Sequence, residues 1–598
     1  MVRPIASQTD ASGLPPTGRP VIYGTQGVIS SGHYLTSMAG MGMLLGGGNA
    51  FDALVAAGFA AAVTEPIASY SLAAESVFML YDAESGDLLS LSGQGTAPRQ
   101  ATLEFYGNQG LKEIPTGPGP LAHLSFTVPG AVDGYLSLLE RYGNLPLSQV
   151  LEPAIHLAQA GFPHYEYMID ALDSQATRDQ FNQYPPGGNE IFFQDGKLPR
   201  PGSILVQPGL ARTLRRLAAG DAGGSRDRIE GIRTARRDFY QGALARTLVE
   251  CARSVGGILS AEDLAGYRAQ FEEPARTRYR GYEICCQRTW SQAPVLLQAL
   301  NLLEHFDLRA MGHNSPAYVH TVVEALKLAI ADREAFYGDP DFARVPLDGL
   351  LSKEYAAERV RHVDPGKAHP DTPPPGNPWK HSREPLERPA PEAPPPSDLP
   401  GPTYADQGTT HIAVVDHHGN LVCATPSGAS FGKAVFFPEV GCALSTRSEM
   451  FFLKPDHPNR LEPGKRPRTT LVGYLVVKDG QPVMTVGCPG GDQQAQANLQ
   501  LLLNVLVFGM NLQEAIEAPR FGSDSFRNSF YPHVYFPGQL SLEEAFPEST
   551  RRELGKLGHK VVPALVCGMG ATITWRDPST GTLATGADPR RSCYALGW

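Results

Sequence analysis

No apolar run in this chain approaches the roughly 20 residues that a membrane span needs; the longest, Ala53 to Val63, falls far short. Met1 to Gly27 carries prolines and polar side chains but no apolar stretch of the roughly 7 to 15 residues found in a secretory signal, so a cytoplasmic location is the default expectation. A basic surplus is missing too. The formal charge is -10, which argues against a nucleic-acid partner, because phosphate binding requires a cationic surface. The eight cysteines (Cys251, Cys285, Cys286, Cys423, Cys442, Cys488, Cys567 and Cys593) contain no CxxC pair and no metal-ligand spacing, and read as reduced, buried thiols. No internal repeat is visible. What is present, 42% hydrophobic and 19% charged residues, is ordinary for a soluble globular enzyme. A length of 598 residues suits two to four domains or one large α/β body.

Along the chain, Phe51 to Val63 reads as a buried helix capped by Asn49 after the turn Gly46-Gly47-Gly48, and Val77 to Tyr81 as a core strand. Helical periodicity predicts further helices over Tyr135 to Leu157, Ala243 to Val255, Pro294 to Phe306 and Ala317 to Phe336. Pro365 to Pro402 then holds fourteen prolines, a density that removes backbone donors and marks a linker or surface excursion. Beyond it strand signals crowd together at Ile412 to Val415, Leu421 to Thr425, Val435 to Phe437, Tyr474 to Val477 and Val483 to Val486. His417-His418-Gly419-Asn420 reads as a hairpin turn between the first two, which accounts for the paired histidines without a metal. The change of texture near residue 409 is a compositional boundary.

That boundary carries the chemistry. Gly408-Thr409-Thr410-His411 opens a buried strand, and a cut before Thr409 would expose a residue holding nucleophile and base at once. The threonine hydroxyl is weak alone, but a free α-amine titrates near 7.7 to 8.0 and can take its proton through water. A second element is Val486-Gly487-Cys488-Pro489-Gly490-Gly491-Asp492, between a strand and the helical run Gln496 to Val507. Paired glycines there let backbone amides point into a cavity at a helix amino end, as a tetrahedral oxyanion requires. Gly428-Ala429-Ser430-Phe431-Gly432 matches the G-x-S-x-G pattern, but the stretch that follows, Lys433 to Val440, is aromatic and β-branched and is broken by Pro438, so no helix receives the serine. Gly117-Pro118-Gly119-Pro120 is a turn.

From about Gly27 to Trp598 the chain resembles the gamma-glutamyltransferase family of N-terminal-nucleophile hydrolases. The matching stretches are Asn49 to Ala53, Val128 to Val132, Gly338 to Phe342, Thr409-Thr410-His411, Gly464 to Pro467, Pro489-Gly490-Gly491, Ala518 to Phe521 and Asp588-Pro589-Arg590. The resemblance implies an α+β fold, a four-layer αββα sandwich, made as a precursor that cleaves itself between Gly408 and Thr409. It divides the chain into a tail over 1–26, a large segment over 27–408 and a small segment over 409–598, the two segments remaining together as a heterodimer. It makes Thr409 the nucleophile, Ser427 its supporting hydroxyl, and Gly490 and Gly491 the oxyanion hole. Thr469 and Thr470 stand where relatives carry a serine pair that meets substrate, and Thr410, Arg447 and Asp492 are further candidates for substrate contact. No metal or organic cofactor and no membrane partner is implied.

The departures bear on the substrate. The family's carboxylate-binding arginine is expected shortly after Ala97-Pro98-Arg99-Gln100-Ala101-Thr102, where Leu103 follows. Ala429 replaces an expected asparagine, Arg447 and Met450 replace a glutamine and an aspartate, and Ser71-Leu72-Ala73-Ala74-Glu75 replaces a glycine-rich turn. The leading expectation is therefore a self-processed threonine hydrolase that cleaves an amide or related acyl bond, including a carbon-carbon bond beside a carbonyl, in a small molecule bearing a carboxylate that Arg447 or Arg99 binds. Ordinary γ-glutamyl hydrolysis or transfer is the alternative, and a scaffold without turnover is the reading from another class.

Overall fold

A computed structural model describes residues 17–184, 187–193, 195–220, 227–386 and 408–598. Two seven-stranded antiparallel sheets lie face to face. The first runs Tyr594–Gly597, Gly27–Ser31, Ile412–Asp416, Leu421–Ser427, Glu75–Tyr81, Leu88–Gly93, Gln270–Glu272. The second runs Ile22–Gly24, Leu583–Ala587, Thr572–Arg576, Gln481–Gly487, Tyr474–Lys478, Tyr282–Cys286, Ala275–Tyr279. Val28, Met79, Ala413, Val415 and Cys423 of the first meet Cys285, Leu475, Val477 and Leu583 of the second in the layer between them.

Strand alternation explains the outer layers. Ile412 and Val414 point the other way from Ala413 and Val415, and join a core built on helices Ala50–Thr64, Ala131–Tyr142 and Leu147–Ala160. The second sheet is covered likewise by Pro294–Leu303, Pro316–Phe336 and Gln493–Leu506. The result is the expected αββα sandwich. Strands from before and after residue 409 interleave in both sheets, so Ile412–Asp416 is hydrogen-bonded to Gly27–Ser31 on one side and Leu421–Ser427 on the other.

Most predicted helices lie within a few residues of their expected ends. Asn49 caps Ala50–Thr64 through a reciprocal bond with Asp52. The single helix expected over Tyr135 to Leu157 is two, because Gly143 ends the first and Pro146 precedes the second. The Asp52 carboxylate holds that break by accepting the Asn144 and Leu145 amides at 3.0 and 3.1 Å. The strand expected at Val435 to Phe437 is a two-residue ribbon paired with Cys442–Ala443, outside the sandwich. Within the stretch expected as a tail over 1–26, Ile22–Gly24 is an edge strand, and 1–16 falls outside the described residues. In the proline-rich excursion, 365–386 lies against the body, with Trp379 buried and the Gly376 amide bonded to Asp332 at 2.9 Å; 387–402 falls outside the described residues.

Asp52 is fully buried and its carboxylate serves both a helix cap and an interhelical turn. Asp52→Ala is expected to lower stability by about 2–3 kcal/mol, the scale of losing hydrogen bonds to a buried charged group, read as a fall in the thermal midpoint.

Candidate active site

The register of one hairpin builds the centre of the site. Ile412 pairs with Ala424 and Val414 with Val422, so continuing the ladder sets Ser427 opposite Thr409. The Thr410 amide extends it by donating to the Pro426 carbonyl at 3.3 Å. Thr409 Oγ1 lies 3.2 Å from Ser427 Oγ. Ser427 Oγ also accepts from Arg447 Nη2 at 2.9 Å and reaches the Ser69 carbonyl at 3.4 Å. On the far side, Arg591 Nη1 donates to the Thr409 carbonyl, which fixes the peptide carrying the hydroxyl.

The turn after the hairpin's first strand is pinned to the helical layer. Asp416 accepts from Asn420 on the turn and from the Ala50 amide at the start of Ala50–Thr64, at 2.9 and 2.8 Å. His411 donates from Nδ1 to Thr425 Oγ1 at 2.8 Å, because that hydroxyl gives its own proton to the Val472 carbonyl. Burial holds His411 down at about 3, so it stays neutral at ordinary pH. Its ring lies against Gly487, where a Cβ would come within 2.1 Å of it. This contact brings the end of Gln481–Gly487, and the loop that follows, beside the start of the Thr409 strand.

That loop carries Gly490 and Gly491, the latter at φ 56°, a left-handed conformation that favours glycine. The Gly490 carbonyl accepts from the Gln493 amide at 2.9 Å, and the trans peptide turns the Gly491 N–H the opposite way, out of the helix start. Gln292 Nε2 ties the loop to Thr470 by donating to the Gly491 and Thr470 carbonyls at 2.9 and 2.8 Å. Thr470 Oγ1 lies 3.5 Å from Arg447 Nη1. Phe530 packs on Gly491 and under the Arg447 guanidinium, and lines one small cavity with Ser69, Gly408, Ser427 and Arg447. Thr409, Ser427, Arg447, Thr470 and Gly491 thus form one connected group.

A match to the gamma-glutamyltranspeptidase family model spans residues 36–598. The chain belongs to this family. It is 31% identical to the glutathione hydrolase proenzyme of Escherichia coli, over 96% of this chain and 94% of that one. It is 34% identical to the acylase ACY 1 proenzyme of Pseudomonas sp. strain SE83, over 92% and 90%. Among solved structures, LmbA2991 matches at 39% identity with a TM-score of 0.86, covering 97% of this chain and all of that one. Cephalosporin acylase from Bacillus halodurans matches at 30% with a TM-score of 0.82, covering 100% and 99%. The protein is accordingly an enzyme of the N-terminal-nucleophile hydrolase type.

Several family-based expectations need correction. Asp492 was expected to touch substrate, but its oxygens are held by Arg333 at 2.6 Å and by the Ser529 amide and hydroxyl at 2.7 Å, so it braces the loop. Thr469 is likewise a brace, pairing through its backbone with Trp290 and Gln292 while its hydroxyl accepts the Leu471 amide. Thr410 turns to the opposite face of the strand, where its hydroxyl and Glu65 both flank Gly32. Arg99 is a surface residue, 67% exposed beside Asp263. Leu103 joins an apolar cluster with Ala101, Tyr106 and Phe451, and Met450 lies against Arg447, so both replacements are accommodated by packing.

Two contributors escaped sequence reasoning. Arg591 bonds Thr409 from 182 residues away, a spacing that carries no signal, although it adjoins the matched stretch Asp588-Pro589-Arg590. Glu65 is its buried counter-charge; burial pushes the carboxyl up and the Arg591 guanidinium opposes this. Among the described residues one group has metal-ligand composition, His320, Glu324 and His559. Its atoms are engaged with one another and with Lys327 and the His369 amide, and its helix, Pro316–Phe336, bonds the Asp492 turn through Arg333, well along the helix from His320.

A methyl at Gly32 would meet Glu65 Oε2 and Thr410 Oγ1 at 2.2 Å each. Gly32→Ala is therefore expected to displace Thr410, the neighbour of Thr409, and lower stability by about 1–3 kcal/mol, seen as a reduced thermal midpoint. A second expectation concerns pH. An exposed histidine titrates near 6.5 and His411 near 3, so between these values the unfolded chain binds the extra proton. Stability is full above about 6.5 and falls as pH drops toward 3. His33, His457 and His559 add to the same slope. His411→Gln should flatten part of the decline in thermal midpoint between pH 6.5 and 4.

Proposed function

We propose that the chain is a zymogen that severs its own Gly408–Thr409 bond and then hydrolyses an acyl bond in a small anionic molecule, with Thr409 as nucleophile. The observation that carries this reading is the Thr409 hydroxyl 3.2 Å from Ser427, whose oxygen accepts from a buried guanidinium at 2.9 Å. A hydroxyl so placed is oriented before reaction, which is the main contribution a fixed scaffold makes to acyl transfer.

In the first reaction Thr409 Oγ adds to the Gly408 carbonyl. The C–N bond breaks, the nitrogen takes a proton, and water cleaves the resulting ester, leaving a Gly408 carboxylate and a free Thr409 amine. In turnover that amine accepts the hydroxyl proton as Oγ adds to the substrate carbonyl. The Gly490-Gly491 amides are the donors to the developing oxyanion, a contribution of order 3 kcal/mol per donor. The leaving group departs protonated, and water resolves the acyl-enzyme. The same sequence serves an amide or a carbon-carbon bond beside a carbonyl, because the attacked centre is the same.

The proenzyme relatives support processing into two segments that stay paired, as do the shared sheets. The glutathione hydrolase relative favours γ-glutamyl donors as a second reading. Leu103 and Met450, which offer no charge to an amino-acid head, weigh against it.

Purified protein is expected to run under denaturing conditions as segments of 408 and 190 residues, the latter beginning at Thr409. Thr409→Ala should leave one uncut, inactive chain, and Thr409→Ser should still mature, more slowly. Ser427→Ala should slow maturation and turnover about 10- to 100-fold, the effect of one strong hydrogen bond. A Thr409→Ala protein that matures and turns over like the parent sinks this reading.

A further inference from the structure

We propose that Ser69 is a catalytic residue of self-cleavage: its hydroxyl donates to the oxyanion that forms on the Gly408 carbonyl when Thr409 attacks, a donor separate from the Gly490-Gly491 amides that serve turnover. This rests on the zymogen reading above and adds a residue to its first reaction.

Gly408 is packed against Ser69. A Cβ built on Gly408 would overlap Ser69 Oγ and stand 2.6 and 2.7 Å from Ser69 Cβ and N, so its three nearest neighbours beyond the adjoining residues all belong to Ser69. A Cβ lies about 1.5 Å from its Cα, which puts Ser69 Oγ within about 3.5 Å of the Gly408 Cα, one bond from the attacked carbonyl. Ser69 and Gly408 line the same small cavity, and neither Gly490 nor Gly491 lines it.

The Ser69 hydroxyl is also uncommitted. The residue is buried, and its Oγ has no hydrogen-bond partner among the described residues. Two other hydroxyls on this wall are taken: Thr446 Oγ1 donates to the Gly428 carbonyl at 3.2 Å, and Ser427 Oγ receives Thr409 and Arg447. An unpaired buried hydroxyl costs stability, and one beside a reacting peptide gains its partner when charge develops there.

Conformation points the same way. Ser69 follows the short turn Pro66–Ala68 with φ 55° and ψ 29°, a left-handed geometry that glycine takes without strain. In it one residue brackets the scissile bond. Its carbonyl accepts the Ala429 amide at 2.9 Å and faces Ser427 Oγ at 3.4 Å, while its side chain and amide nitrogen face Gly408. The turn is fixed from behind by Glu65, which accepts from Thr36 Oγ1 at 2.7 Å. A donor held in this way needs no reorganisation when the oxyanion forms.

In the step itself the Thr409 Oγ–C bond forms as Oγ loses its proton, and the carbonyl pair moves onto the Gly408 oxygen. Ser69 donates a hydrogen bond to that oxygen and keeps its own proton. The pair then returns as the C–N bond breaks, and the nitrogen takes the proton that Oγ gave up.

The test follows maturation of full-length protein made by cell-free synthesis, read as the appearance of the two segments on denaturing gels after translation is stopped. Ser69→Gly suits the left-handed backbone and Ser69→Ala keeps most of the volume; neither has the hydroxyl. Both are expected to mature about 100-fold more slowly than the parent, the effect of removing one oxyanion donor. Added hydroxylamine, which cleaves an ester once formed, should leave both slow. Maturation of both variants at the parent's rate overturns the inference. So does slowing in only one of them, which traces the effect to backbone strain or lost volume, and so does rescue by hydroxylamine, which moves the defect to ester hydrolysis. A parent that never matures overturns the zymogen reading as well.

Discussion

The antiparallel register between Ile412–Asp416 and Leu421–Ser427 is the constraint on which the rest of the molecule depends. A slip of one residue would turn every side chain of the strand to the other face, putting Thr410 where Thr409 stands and turning the Thr409 hydroxyl against the helices. Both faces of the strand are buried, with Ile412 and Val414 in one core and Ala413 and Val415 in the other, so each wrong register exposes nothing to water yet misplaces four apolar side chains. Asp416, bonded to both the turn and the Ala50 amide, prevents the slip at its source. Because the strands on either side of this one come from opposite sides of residue 409, a cut there would remove one covalent bond from a sheet held by two complete ladders.

Charge is the second organising influence. Around Thr409 the chain buries Arg447 with Glu75, Arg591 near Glu65, and Arg333 with Asp492 and Glu334. Removing such ions from water costs several kcal/mol each unless a partner and hydrogen bonds replace the solvent. Their arrangement has a geometric consequence. Each cation holds a different backbone or hydroxyl element: Arg591 the Thr409 carbonyl, Arg447 the Ser427 hydroxyl, and Arg333 the Asp492 turn that carries Gly490 and Gly491. Three cations fix three parts of one site, and none can shift without leaving a buried acid unpaired.

The elements legible in the sequence were those whose cause is local. Alanine-rich periodicity located Ala50–Thr64, Asn49 marked its start, and β-branched runs located Ile412–Asp416 and its hairpin partner. The approach of Thr409 to Ser427 was legible as well, because eighteen residues joined by one tight hairpin leave little freedom in where they meet. What could not be read was direction. Asp492 adjoins the glycine loop in sequence, yet its carboxylate turns to Arg333, 159 residues away, and only the packed helix Pro316–Phe336 decides that. The break at Gly143 was hidden for a similar reason: the apolar periodicity of the two helices runs on across it, while the acid that stabilises it lies on another helix.

The two departures most easily taken as separate losses are one change. Where the family pattern expects a glycine-rich turn, the chain has Glu75 at the start of a core strand, and where it expects a polar head-group residue, it has Arg447. Either substitution alone buries an unpaired charge; together they form a contact of 3.8 Å inside the site. A hydrophobic pair of the same volume would fill that space at less desolvation cost. Stability therefore does not explain the pair. Nor does support of Ser427, for which a neutral donor would suffice. The feature that only a guanidinium supplies is a fixed, planar cation whose Nη1 makes only long contacts, at 3.5 and 3.8 Å. Glu75 allows that cation to remain buried and oriented, and its three other hydrogen-bond donors keep it from drawing the guanidinium out of the cavity.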